Sequence, residues 1–209
     1  DSLDQIEGVS PSDITSSLKE ITSGATSALD QIEVSDYSAS DLGEMVQEIS
    51  SGATQALGNI EIDGISSDNL SSMMEKVTAG ATGALGQISM EGYSSSNLTT
   101  MLSKITSGAT SALGDIEMEG YSSNNLSLMV EKITAGATSA LDEIQLEGFS
   151  SDNLSSMVQE ITSGATGALD EIEMAGFDPS TDVFSMTEKV ILGTTGALSE
   201  IEMEGYDSD

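Results

Sequence analysis

The stretch SSDNLSSMMEKVTAGATGALGQISMEGY, residues 66–93, decides the fold, because it is one unit of a repeat that fills the chain. Its string AGATGAL at 79–85 returns as SGATSAL at 23–29, SGATQAL at 51–57, SGATSAL at 107–113, AGATSAL at 135–141, SGATGAL at 163–169 and LGTTGAL at 192–198. Gly24, Gly52, Gly80, Gly108, Gly136 and Gly164 are each 28 residues apart, and Gly193 follows after 29. A fixed period of this size marks stacked supersecondary units, each unable to bury its apolar face without a neighbour. The chain is therefore expected to be a single repeat domain over 1–209, about seven units cut from a longer protein, with edge repeats near 1–22 and 175–209. The only prolines, Pro11 and Pro179, fall in the two irregular turns at those edges.

Within the unit, Leu70, Met73, Met74, Val77, Ala81, Ala84, Leu85 and Ile88 recur at spacings of three and four, which puts them on one side of a helix over about 68–87. Ser66 or Ser67, ahead of Asp68 and Asn69, supplies the N-cap. Beyond the helix the period changes to two: Ile88, Met90 and Tyr93 recur as Ile116, Met118 and Tyr121 and as Ile144, Leu146 and Phe149, the pattern of a short extended segment. About 19 helical residues rise roughly 28 Å, and about nine extended residues return the same distance, so the two legs close one turn. The expected fold class is α/β, a tandem-repeat solenoid with one helix and one short strand per 28-residue turn. The alternative is an all-α superhelix with extended connectors, in which helices 8–10 Å apart set the spacing and ease repulsion between rows of stacked glutamates.

The run Leu85-x-x-Ile88-x-Met90-x-x-Tyr93, repeated as Leu113-x-x-Ile116-x-Met118-x-x-Tyr121 and Leu141-x-x-Ile144-x-Leu146-x-x-Phe149, resembles the core of leucine-rich repeats. That resemblance covers nearly the whole chain and implies a strand-and-helix solenoid. Where the family carries its asparagine this chain has Tyr or Phe, and the Leu two positions later is Ser95 or Ser123.

Composition narrows the functions open to such an array. There are 36 acidic residues against 5 lysines, no Arg and no His, for a net charge of −31. That surface repels nucleic acid and anionic membranes and attracts cations or basic proteins. Without Cys or His the chain has no disulfide, no thiolate metal site and no imidazole base. No apolar run reaches the length of a membrane span. Paired carboxylates could do acid-base work only in unlike environments, which identical repeats do not provide. The expected role is therefore a non-catalytic extracellular or cell-surface segment, secreted or surface-anchored. It would act as a spacer or adhesin-type scaffold for a protein or carbohydrate partner, or self-associate through its terminal repeat, where Ile191 and Leu192 replace the usual Thr-Ser pair.

Two site readings stand beside this one. No cofactor is expected, with one alternative: Glu61-Ile-Asp63-Gly64 resembles the second half of an EF-hand loop, and with Glu91, Glu119 and Glu147 it forms either a solvated acidic edge or a calcium site. The threonine columns place Thr82, Thr110, Thr138 and Thr166 on one helix flank, expected either to meet the Gly/Ala flank of the next helix or to form an exposed hydroxyl face of the ice-binding kind. The methionine column Met45, Met73, Met101, Met129, Met157 and Met186 is expected to fill the core. Lys76, Lys104, Lys132 and Lys189 share one register and are expected to pair with glutamates on the outward side.

Overall fold

The computed structural model describes residues 10–32, 37–58, 66–88, 94–116, 122–144, 151–172, 179–199 and 201. Each repeat contributes one helix: α1 Pro11–Ser27, α2 Ala39–Gly58, α3 Ser67–Leu85, α4 Ser95–Ser111, α5 Ser123–Ser139, α6 Ser151–Gly167 and α7 Pro179–Leu198. Serine caps start the first five. The side chains of Ser10, Ser66 and Ser122 accept from the backbone N–H three residues on, while Asp13, Asn69 and Asn125 reach back to the serine's own N–H. Pro11 sits in the first turn of α1, where a missing N–H costs nothing.

The helices form two layers. Each makes its main contacts with the helix two places on: α1 with α3, α3 with α5 and α5 with α7 in one layer, α2 with α4 and α4 with α6 in the other. Two apolar clusters bind the layers together. One joins the first halves of α1, α3, α5 and α7 (Ile14, Met73, Met129, Met186) to the C-terminal ends of α2, α4 and α6 (Leu57, Leu113, Leu169). The other joins the first halves of α2, α4 and α6 (Leu42, Met101, Met157) to the C-terminal ends of α3 and α5 (Leu85, Leu141). Successive helices therefore run antiparallel, and helices within a layer run parallel. Met73, Met101, Met129, Met157 and Met186 are all buried, as core filling requires.

The α/β solenoid expectation is corrected here, because among the described residues there is no strand. Ile88, Ile116 and Ile172, where the period-two pattern was to begin, close the last helical turn; Ile116 and Ile172 leave it with extended backbone angles but belong to no strand. Their amides donate to the carbonyls of Leu85, Leu113 and Leu169 at 3.3, 3.4 and 3.3 Å, and their side chains are buried in the layer cores. The spacing Leu-x-x-Ile is thus one helical turn, not the start of a leucine-rich-repeat strand. Met90, Tyr93, Met118, Tyr121, Leu146 and Phe149 lie outside the described residues. Antiparallel neighbours also remove the need for a returning leg, since each connector only has to turn the chain round. The leucine-rich-repeat likeness falls with the strands, and an all-helical stack gives extracellular adhesion and calcium binding no support.

Candidate functional site

The contact that builds the stack is made by glycine, and it defines which surfaces remain open. Backbone carbonyls of Lys19, Gln47, Glu75, Ser103 and Glu131 lie directly against Gly80, Gly108, Gly136, Gly164 and Gly193 of the helix two places on. A methyl group on Gly80 would stand 2.5 Å from the Lys19 carbonyl oxygen, and one on Gly108 2.6 Å from that of Gln47. These glycines serve close approach, allowing parallel helices to pack backbone to backbone with weak Cα–H···O contacts. Hydroxyls stitch the same seam: Ser50 and Thr78 donate to the Ile105 and Ile133 carbonyls at 3.0 Å, and Thr134 to Val190 at 3.4 Å. The threonine flank thus meets the glycine flank of the helix two places on. The sequence-based expectation had paired it with the next helix, but flanks of the same polarity meet in register only between parallel helices. Ion pairs follow the same step, Lys132 to Glu75 at 2.8 Å and Lys189 to Glu131 at 2.7 Å.

The expected hydroxyl face is mostly interior. Thr82, Thr110 and Thr138 are fully buried, and their Oγ1 atoms, like that of Thr26, have no hydrogen-bond partner. Thr166 is half-buried and donates to the Thr162 carbonyl at 2.8 Å. The proposed calcium ligands Glu61, Asp63, Glu91, Glu119 and Glu147 lie outside the described residues. Among the described residues no group of three or more Asp or Glu is placed to hold a metal. No described helix is long and apolar enough to cross a membrane.

Acidic side chains gather at the helix ends. Asp13 and Asp41 sit in first turns, where each accepts from a capping serine; the hydroxyls and amides of Ser10 and Ser38 hold these carboxyls below their ordinary value of 3.8. Asp115, Asp142, Glu143, Asp170 and Glu171 are different, being exposed in the 3₁₀ turns that end α4, α5 and α6. There the helix dipole disfavours negative charge. Lys19 reaches Glu143 at 2.9 Å, and Gln55 donates to Asp115 at 2.7 Å.

The two ends of the stack are apolar. At the first end, Gly24 and Gly52 have nothing within 4 Å on the flank that stacks elsewhere. Ile21 is 55 % exposed although Val77, at the same register, is fully buried. Beside them an open groove of about 540 Å³ is lined by Leu29, Tyr37, Met45 and Ile49 and rimmed by Asp41, Glu44 and Glu48. At the last end, α7 exposes Phe184, Ile191 and Leu192, the first by 77 %. The substitution at Ile191 and Leu192 marked this second surface in the sequence. Nothing local marked the first, because Ile21 and Ile49 continue a column that is core elsewhere. The chain matches no protein-family signature and aligns with no curated protein.

Proposed function

We propose that this chain is a non-catalytic helical scaffold whose acidic edges hold a basic protein segment. The observation that carries the reading is the placement of Asp142, Asp170 and Glu171 at helix C-termini, where they oppose the dipole and do not serve stability. A basic partner would relieve that opposition. Net charge of −31 supplies the long-range attraction, and repetition of the edge multiplies a weak contact. Two-layer stacking supports a rigid display surface more than a long spacer: a step of 8–10 Å per two repeats advances the stack only about 4–5 Å per 28 residues.

A fluorescent decalysine peptide titrated into the chain tests this by anisotropy. Binding is expected at low ionic strength and should weaken steadily as salt is added. The triple variant Asp142→Asn, Asp170→Asn, Glu171→Gln should melt higher than the parent, by a few tenths of a kcal/mol per site, yet bind the peptide less tightly. An equal neutralisation at Glu44, Glu48 and Glu160 should leave binding nearly intact. The reading fails if the two triple variants bind alike, or if a neutral peptide binds as well as the basic one.

A further inference from the structure

We propose that the two apolar ends are complementary and that copies of this chain stack head to tail, α1 and α2 of one copy taking the places that would follow α6 and α7 of another. The partner surface is fixed by continuity with the interface already present five times within the chain. Each interior seam needs a carbonyl and a hydroxyl on one helix and a bare glycine on the helix two places on. Both halves are left over at opposite ends: Gly24 and Gly52 face open space at the first, and at the last Thr162 of α6 stands at the hydroxyl register while α7 offers the exposed apolar side chain of Ile191 at the same position. Seven helices in alternating orientation leave the next place parallel to α6, which is the place α1 would fill, with α2 then lying parallel on α7. Ile191 and Leu192 would cover the bare flank at Gly52, and Ile21 would lose its exposure against α6. Apolar area is removed from water at both ends at once.

Charge sets the condition. Interior seams pair Lys132 with Glu75 and Lys189 with Glu131. In the stacked pair the same register brings Glu48 of one copy against Glu188 of the other, and Glu20 against Gln159. Association is therefore held off at low salt and released when charges are screened.

Sedimentation velocity of the full chain over a concentration series, in about 20 mM and about 1 M NaCl, tests the proposal. Concentration-dependent growth is expected at high salt. Glu48→Lys restores the interior Lys–Glu pairing and should strengthen association at low salt by at least about tenfold. Gly52→Arg blocks the first end and Ile191→Asp the last; each alone should stay monomeric at high salt. Mixed, they should form a one-to-one dimer and nothing larger, because one intact first end and one intact last end remain. Circular dichroism melts confirm that each variant is folded. Monomer at every salt and concentration overturns the proposal, as does a Gly52→Arg protein that still self-associates, since that requires like ends to meet. Binding of decalysine is a separate readout, unaffected by either outcome.

Discussion

Two threonine positions four residues apart on the same helix have opposite consequences. The Thr78 hydroxyl reaches the Ile133 carbonyl on the parallel helix, whereas the Thr82 hydroxyl is buried with no partner. Removing the first loses a hydrogen bond across the seam. Removing the second relieves an unsatisfied polar atom. Thr78→Val should therefore destabilise by about 1 kcal/mol, while Thr82→Val and Thr138→Val should raise stability by a similar amount each, read from urea midpoints. Glycines divide the same way. Gly136→Ala drives a methyl group into the Glu75 carbonyl and should cost about 1–3 kcal/mol, whereas Gly52→Ala meets open space and should gain about 0.5–1 kcal/mol of helix propensity. Equal effects at Gly136 and Gly52 would mean the seam is not where the structure puts it. The sequence shows every one of these glycines in the same register and cannot tell the crowded from the open, because what distinguishes them is whether a helix lies two places before.

Among the helices, α1 and α2 are capped by carboxylates at the third position, and α3, α4 and α5 by asparagine, with the Ser94 amide donating to Asn97 at 2.7 Å. Only the carboxylate caps titrate. Their folded-state pKa values are depressed by the serine hydroxyls and amides, so their contribution is present above the ordinary value of 3.8 and is lost as pH falls through the lowered folded values. Comparing the parent with the Asp13→Asn, Asp41→Asn double variant across an acid titration, the difference in melting temperature is expected to hold above the ordinary carboxyl value of 3.8 and to narrow as pH falls through the lowered folded values. A gap that stays constant with pH would show that these carboxyls do not act as charged caps. Helix existence and the capping serines were legible from the sequence, since both are local. The strand expected to begin at Ile88 was the misreading among the described residues: Leu85-x-x-Ile88 and Ile88-x-Met90 fit a helical turn and a strand equally well, and Ile88 closes the last turn with its side chain buried between the layers.

At the scale of the molecule, the dominant contact skips a repeat, so the smallest unit containing one complete seam has three helices. A fragment over 66–116, with α3 and α4 alone, should be largely unfolded by circular dichroism, while the full chain melts cooperatively. A two-helix fragment as stable as the whole would refute the layered stack. With a net charge of −31, raising NaCl from about 20 mM to about 0.5 M should also lift the melting temperature of the full chain by screening self-repulsion. By itself the sequence determined the repeat, its period, the helix in each unit, the apolar stripe and the acidic surface, because each follows from residue spacing along one chain. Only the tertiary structure decided that neighbours run antiparallel, that glycine meets carbonyl two repeats away, and that no other described helix covers the flanks at Gly24, Gly52 and Ile191. Those features depend on which identical unit lies against which, and a chain of near-identical repeats carries no local signal to distinguish one neighbour from another.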